Sequence, residues 1–370
     1  MNAWYISFES ARAAQAEHLG QAVEAVSAAV SARAAAGDLA QPGPLFTGIG
    51  ASLAAACAPV WVLRSRGIHS WRLTAGDHPL PFPGTRHPVV GISQSGRSAE
   101  TLAVLESVPE PQRYAVVNKV PSPIADIARV VLGLGNLPDS YASTVGYTAT
   151  VAALGILADA WDGGVADPGW QDLAGTFRLT EARLTEAVRG LAPRFAECRS
   201  ADFVGAGPSV GTAEAAALLF REVARVPSAG MSTRQYLHGS MESAGDSVHV
   251  LFGDAREADV AGTLADAGHQ VILVTTQEAP PRDNLATVRL PPRPPAQRAI
   301  LEVLVMQILV AAVAELREVD IEEFVFQHSD TKVAAGAPAA ARTHADGSAT
   351  SAAADAAAAT ATLAVDSGPA

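Results

Sequence analysis

The sequence predicts an α/β protein made of two tandem units, each a parallel sheet flanked by helices in three α/β/α layers. Short β-branched runs alternate with helical patterns between residues 44 and 160, and a second round of the same alternation follows residue 200. Such alternation is typical of a parallel sheet covered by helices. With 370 residues, of which 49% are hydrophobic, the chain is long enough and apolar enough for two cores.

Four strands are predicted in each unit. They lie at Leu45–Gly48, Val89–Ile92, Tyr114–Asn118, Val130–Gly133, Asp202–Gly205, Ser247–Phe252, Gln270–Thr275 and Ala286–Leu290. In sheets of this kind, ligands bind beyond the C-terminal ends of the strands.

The remaining segments complete the predicted organisation. Apolar residues at helical spacing before Gly37 predict an N-terminal helix within residues 1–37. The two units are predicted at 38–162 and 173–333, and the polar, Gly- and Pro-containing segment between them resembles a linker. Residues 334–370 are rich in alanine and contain no aromatic residue, so we expect a disordered tail.

Composition and charge exclude several classes of function. A formal net charge of −12 argues against nucleic acid and anionic membranes as partners. Cys57 and Cys198 are the two cysteines, far apart, so neither a disulfide framework nor a metal site is expected. The longest apolar stretch, Ala299–Leu316, contains two glutamates and a glutamine, which favours a buried helix over a membrane span. Because the chain begins without signal-peptide features, we expect a cytoplasmic protein. We also expect that it needs no cofactor.

Residues 91–101 carry the strongest functional signal. Ser93, Ser95 and Ser98 surround Gly96 between an apolar run and a helical pattern. A strand that turns into a helix directs backbone N–H groups and the positive end of the helix dipole at one point, where the three hydroxyls also converge. This pattern predicts a site for a phosphate monoester, held without any lysine. The alternative is an ordinary serine-rich N-cap.

A glycine-rich turn in the second unit invites a nucleotide-binding interpretation. Residues 205–211 have the spacing G-x-G-x-x-x-G, with Pro208 in the loop, whereas dinucleotide-binding turns have G-x-G-x-x-G. The motif is weak evidence for an oxidoreductase, and we keep that function only as a third alternative.

Four segments in the first unit together resemble the SIS (sugar isomerase) domain. Residues 93–101 are similar to its phosphosugar loop, 45–52 to its first strand and Gly-x-Ser turn, 116–125 to its third strand and following loop, and 139–144 to its E-x-x-V-A-S-T loop. The resemblance implies the following substrate-binding residues: Gly50, Ser52, Ser93, Gln94, Ser95, Ser98, Ala142 and Ser143.

The second unit resembles the isomerase domain of glucosamine-6-phosphate synthases. Residues 213–223 and 234–240 are similar to two motifs of that domain, at the same separation. Matched residue by residue, the catalytic glutamate falls on Glu222, the histidine on His238 and the C-terminal lysine on Lys332. A carboxylate suits proton transfer between C1 and C2, a histidine suits opening of the sugar ring, and an amine suits Schiff-base formation.

The sequence also departs from the synthase motifs. Leu219 and Val145 stand where those motifs have lysines, Ala215 where they have a glutamate, and Ser240 where they have a proline. The chain lacks an N-terminal cysteine nucleophile, and we expect no glutaminase domain before Glu9. The resemblance is therefore closer to stand-alone tandem SIS enzymes, such as amino-sugar-phosphate deaminase-isomerases, ketosamine-phosphate deglycases and aldose–ketose isomerases.

Two main functions remain open from the sequence. The first is an enzyme that isomerises a hexose or hexosamine 6-phosphate and releases or adds ammonia. The second is a non-catalytic phosphosugar sensor, which the lost lysines favour and the retained Glu222 and His238 disfavour. The resemblance further implies a homodimer in which the histidine reaches the sugar from the neighbouring subunit.

Overall fold

The computed structural model describes residues 5–322, 324–326, 328 and 330–334. Over these residues the chain forms two five-stranded sheets in which neighbouring strands are parallel. The strands are β1 (Leu45–Gly48), β2 (Trp71–Thr74), β3 (Val89–Ser93), β4 (Arg113–Val117), β5 (Val130–Gly133), β6 (Ser200–Gly205), β7 (Ser228–Ser232), β8 (Ser247–Phe252), β9 (Gln270–Thr275) and β10 (Leu285–Arg289).

The two sheets have the same topology. The first has the strand order β2-β1-β3-β4-β5, and the second, taken from its opposite edge, has the order β7-β6-β8-β9-β10. In each sheet the strand order reverses direction beside the first strand, which creates a switch point between β1 and β3 and another between β6 and β8. The predicted tandem α/β fold is confirmed.

Helices cover both faces of each sheet. They are α1 (Phe8–Ala13), α2 (Gln15–Ala35), α3 (Ala51–Ala55), α4 (Cys57–Ser65), α5 (Ala99–Ser107), α6 (Pro123–Ile127), α7 (Val145–Ala160), α8 (Leu173–Arg189), α9 (Ser209–Val223), α10 (Thr233–Leu237), α11 (Arg256–Asp266) and α12 (Pro295–Leu316). In the first sheet, α2 packs on α7, while in the second α12 packs on α9 and α8.

All eight predicted strands are present, within two residues at either end. The two strands that were not predicted, β2 and β7, lie at sheet edges. The interior strand β3 is buried along its whole length, as its apolar sequence requires. The missed β2 lies at a sheet edge and is half-buried or exposed throughout. The missed β7 is also an edge strand, and its sequence Ser-Ala-Gly-Met-Ser has no β-branched residue. Both strands therefore lack the apolar run that identifies a buried strand.

Two predictions about connecting segments are wrong in detail. The N-terminal segment forms two helices instead of one, because the chain breaks at Ala14, and Ser7 caps the first by accepting a hydrogen bond from the Ser10 N–H. The presumed linker is packed against the protein: Trp170 is 2% exposed, and its Nε1 donates to the Asp159 carboxylate over 2.8 Å. An indole and a paired carboxylate hold this segment in place.

One continuous apolar core extends through both units and includes α7 and α12, which pack against each other. Smaller clusters lie on the other face of each sheet. Helix α12 is long and apolar enough to cross a membrane, yet 83% of its most apolar window is buried inside the protein. This burial confirms the prediction of a core helix. The predicted disordered tail lies outside the described residues, apart from Ala334.

Candidate active site

The serine loop follows β3 and leads into α5. Gly96 has φ +64°, and a side chain there would overlap the Ser122 hydroxyl, so the tight turn requires glycine. Ser98 occupies the N-cap of α5, but its side chain makes no capping bond; its Oγ lies 2.9 Å from the Ser93 Oγ. The Ser95 Oγ accepts a hydrogen bond from the Arg97 N–H. The Ser98 side chain is therefore not committed to its own helix, which argues against the ordinary N-cap.

A second loop, residues 139–146, is folded around the buried carboxylate of Asp139. The carboxylate accepts hydrogen bonds from the backbone N–H groups of Ser140, Thr144 and Gly146, at the N-terminus of α7. It also accepts from the side chains of Ser143, Thr144 and Gln94. Burial raises the pKa of Asp139, and the hydrogen bonds from Thr144, Ser143 and Ser140 oppose the increase. Asp139 thereby joins Gln94 of the serine loop to the second loop.

A cavity of about 760 Å³ opens beside the serine loop. Gln94, Ser95 and Lys332 line it as predicted, together with Arg97 and Lys119. That the serine loop holds a phosphate without any lysine stays a prediction. The Lys119 Nζ donates to two backbone carbonyls, those of Asn136 and Leu137, at 3.2 Å each. The cavity wall thus carries three cations and also the carboxylates of Asp126 and Asp139. The cations outnumber the carboxylates, which suits an anionic ligand.

Backbone pairing brings Lys332 to the cavity. It forms an antiparallel bridge with Ser98, the Ala99 N–H donates to the Thr331 carbonyl, and the Val333 N–H donates to the Arg97 carbonyl. The Lys332 Nζ lies 3.3 Å from the hydroxyl of Tyr5. The C-terminal segment is therefore in register with the serine loop.

A smaller cavity of about 240 Å³ contains Glu222, Gly50 and Ser143. Tyr141 lines both cavities, so they adjoin at this ring. Tyr141 is stacked on Tyr5, with ring centroids 4.1 Å apart. The phosphate loop and the candidate acid–base carboxylate thus belong to neighbouring parts of one site.

Five predicted site residues line neither cavity: Ser52, Ser93, Ser98, Ala142 and His238. Ser52 is half-buried in α3, and Ala142 is buried, its carbonyl accepting a hydrogen bond from the Ser140 hydroxyl. His238 is exposed and follows α10. His238 is therefore not part of the wall of the cavity that Glu222 lines in the same chain. Within the described residues, no cluster of three or more His, Cys, Asp or Glu side chains suits a metal ion.

The comparisons with known proteins agree with this architecture. No family model matches the sequence. The chain is 28% identical over 253 residues to a glutamine–fructose-6-phosphate aminotransferase (isomerizing) of Thermococcus kodakarensis, covering 62% of this chain and 41% of that protein. The chain thus spans about two fifths of the length of the relative it matches.

Solved structures share the fold over most of the chain. The C-terminal domain of the glucosamine-fructose-6-phosphate aminotransferase from Francisella tularensis superposes with a TM-score of 0.74 at 16% identity, covering 87% of this chain and 99% of that one. The tagatose-6-phosphate ketose/aldose isomerase from Escherichia coli gives 0.69 at 15% identity, covering 85% and 93%. In sequence and in fold, the chain is therefore similar to the SIS-domain phosphosugar isomerases.

Glu222 lies in an apolar environment. Near the end of α9, it shares its cavity with Leu218, Leu219, Val303 and Met306. Burial raises the pKa of Glu222 from 4.5 to about 7, and the positive charge of Arg225 only partly opposes this shift. A carboxyl group with a pKa near neutrality is suited both to accept and to return a proton.

Sequence reasoning missed Asp139, Tyr141 and Arg97 as parts of the site. Asp139 and Tyr141 fall inside the loop that resembles the SIS family, and Arg97 inside the serine loop, so their positions carried a signal. Their roles could not be predicted, because they depend on side chains that are brought together only by the fold.

The raised pKa of Glu222 predicts a pH-dependent gain in stability for Glu222→Gln. Because the folded pKa exceeds the ordinary value, the stability that this group contributes is present below about pH 4.5 and is lost as pH rises through about 7. The glutamine cannot ionise. At pH 8 the variant should therefore be more stable than the wild type by about 1–3 kcal/mol, and at pH 4 about equal.

Urea unfolding at the two pH values measures this difference. Glu186→Gln, on an exposed face of α8, is the matched control and should behave as the wild type at both. Equal stabilities of Glu222→Gln and wild type at pH 8 would show that the Glu222 carboxylate is not destabilised by burial.

Proposed function

We propose that this protein is an aldose–ketose isomerase or isomerising deaminase that acts on a hexose or hexosamine 6-phosphate. The observation that carries the proposal is the position of Glu222, a carboxyl with a pKa of about 7. Its cavity adjoins, at Tyr141, the larger cavity beside the serine loop. The reaction requires binding of the sugar phosphate and transfer of a proton. A candidate phosphate site and a candidate acid–base group in adjoining cavities meet these two requirements.

The phosphate is assigned to the serine loop. Ser95 lines the larger cavity, and the paired Ser93 and Ser98 hydroxyls lie in the same loop. Arg97 and Lys119 add positive charge at the cavity wall. Hydrogen bonds to a charged group are about twice as strong as those between neutral groups, which favours phosphorylated over free sugars.

Glu222 is assigned the proton transfer. Its carboxylate removes a proton from one of the carbons C1 and C2, the electron pair forms an enediol, and the carboxyl returns the proton to the other carbon. With a hexosamine phosphate, the same transfer gives an imine at C2, which water hydrolyses to a ketose phosphate and ammonia. Lys332, held beside the serine loop, is assigned Schiff-base formation with the ketone.

His238 is assigned the opening of the sugar ring from a neighbouring subunit. It is exposed and lines neither cavity of its own chain, which supports donation across an interface. A two-fold homodimer would place each His238 at the site of the partner.

A non-catalytic sensor is the alternative. It is favoured by the apolar residues that replace two lysines of the synthase motifs: Leu219 lines the smaller cavity and Val145 is buried. Exchange of the C1 or C2 proton of fructose 6-phosphate with solvent, followed by NMR in D₂O, separates the two functions. Mass analysis of fructose 6-phosphate with ammonium, and of glucosamine 6-phosphate alone, then identifies the nitrogen chemistry.

Ser95→Ala should weaken binding of fructose 6-phosphate. Loss of a hydrogen bond to a charged group corresponds to about 1–3 kcal/mol, or roughly a 5- to 150-fold increase in Kd, measured by calorimetry. Ser200→Ala, which removes a hydroxyl from a serine pair in the second unit, is the control and should leave Kd unchanged. Equal affinity of the wild type for fructose and fructose 6-phosphate would refute a phosphate site.

Glu222→Gln should lower proton exchange by about 10²–10⁴-fold while binding persists, because the amide cannot accept the proton. In the wild type, the exchange rate should fall about tenfold per pH unit below pH 7 and level off above it, as the carboxylate becomes available. An unchanged rate in the variant would exclude Glu222 as the base, and Glu186→Gln should retain full activity.

Mixed Glu222→Gln and His238→Asn chains should recover activity that neither variant has alone. If the two residues act from different chains, random exchange makes half of the dimers mixed, and each mixed dimer contains one intact site, or about a quarter of wild-type activity. Mass-resolved subunit exchange is the control for mixing. A monomer by light scattering, or no recovery after demonstrated exchange, would show that each chain builds its own site.

A further inference from the structure

The short helix that carries His238 is attached to the second sheet by a buried cluster of polar side chains. We propose that Tyr236 is a positioning residue that holds His238 in place through His249. The inference rests on the role proposed for His238, and it concerns residues that the reaction itself does not use.

Tyr236 is fully buried, two residues before the exposed His238. Its hydroxyl lies 3.0 Å from Nδ1 of His249, which is itself fully buried in β8. Asp202, the register partner of His249 in β6, places a carboxylate oxygen 3.3 Å from the same nitrogen. The tyrosine hydroxyl is thus held by His249 of β8, and His249 is in turn contacted by Asp202 of the adjacent strand β6.

A second anchor lies at the beginning of the same helix. The Thr233 hydroxyl donates to the buried Glu257 carboxylate of α11 over 2.5 Å. Helix α10 has only five residues, fewer than an isolated helix needs for stability. Its position therefore depends on these two anchors, one at each end.

Beyond Tyr236 the chain is held by apolar packing and by local backbone hydrogen bonds. Leu237 and Met241 are partly buried against the same apolar cluster as Tyr236. The His238 N–H donates to the carbonyls of Arg234 and Gln235, which ties the residue to the last turn of α10. Gly239 then adopts φ +142°, with nothing within 4 Å of where a side chain would be. His238 consequently moves with α10, and the side-chain hydrogen bond nearest to it along the chain is that of the Tyr236 hydroxyl.

The hydroxyl is also important to the cluster itself. His249 Nε2 is buried and has no hydrogen-bond partner in the described residues, and the His269 ring packs against His249 edge-on. Without the Tyr236 hydroxyl, His249 would keep Asp202 as its one polar contact among these groups. A phenylalanine at 236 would fill the same apolar space but would leave α10 tied mainly at Thr233.

Tyr236→Phe tests the proposal with two readouts on the full-length protein. Amide hydrogen exchange over residues 236–238 should become about tenfold faster or more, because local opening requires the loss of one fewer buried hydrogen bond. The kcat for fructose 6-phosphate should fall about 10- to 100-fold, the scale expected for a misplaced catalytic group, while KM stays unchanged because the serine loop is untouched.

Tyr114→Phe is the matched control. Tyr114 is also buried, and its hydroxyl donates to the Asp38 carbonyl in the first unit, away from α10. It should lower global stability without changing exchange at 236–238 or kcat. Thr233→Val, which removes the other anchor, should loosen the same amides and serves if Tyr236→Phe fails to fold.

The outcomes separate this inference from the proposed function. Unchanged exchange at 236–238 in both Tyr236→Phe and Thr233→Val would overturn the anchoring, whatever the enzymatic activity. Faster exchange with unchanged kcat would overturn the positioning role. If the wild type does not exchange the sugar protons at all, the proposed function fails, and the hydrogen-exchange comparison still decides whether Tyr236 holds the loop.

Discussion

The two cavities are held together at the buried carboxylate of Asp139, which collects hydrogen-bond donors from separate parts of the chain. The carboxylate accepts hydrogen bonds from Gln94 in the serine loop and from Thr144 and Gly146 at the start of α7. The Asp139 backbone carbonyl in addition accepts from the Ile6 N–H. An uncompensated carboxylate at this depth would be very costly, so these donors are required once it is buried. Because the donors belong to different loops, satisfying one carboxylate fixes their relative positions, including that of the Tyr141 ring between them.

The two units share a strand order but not the chemistry at the equivalent edge. Where β3 continues into the serine loop, β8 continues into Asp254, whose carboxylate accepts hydrogen bonds from the Thr276 N–H, the Thr275 hydroxyl and Arg298. The donors at the second switch point therefore already serve an anion of the protein itself. Packing accounts for the nearby glycine turn: Gly205 lies against the backbone of Ser209. The second switch point also opens into a cavity, of about 340 Å³, but the Asp254–Arg298 ion pair lies in its wall where the first unit has the serine loop.

Much of the fold could be predicted because interior strands and core helices are buried and therefore have recognisable apolar patterns in the sequence. The edge strands β2 and β7 could not, since half-buried residues need no apolar pattern. The serine loop was visible because its residues are contiguous. The arrangement of Lys119, Lys332 and Tyr5 was not, because it depends on contacts between residues that are distant along the chain. The assignment of Glu222 and His238 came from a resemblance, and the burial of Glu222 supplies a physical reason for its role that the sequence does not contain.

The absence of a lysine at position 219 affects the pKa of Glu222, as the distribution of charge between the two cavities shows. A cation at position 219 would stabilise the carboxylate form of Glu222 and lower its pKa. With Leu219 there, desolvation dominates, and the carboxyl titrates near pH 7, where a base is stronger for the same geometry. The positive charges are instead placed in the larger cavity, beside the serine loop, with the Tyr141 ring between the two. Cations and hydroxyl groups thus lie at one end, which suits the phosphate that we propose, while Glu222 at the other end has the apolar surroundings that raise its pKa.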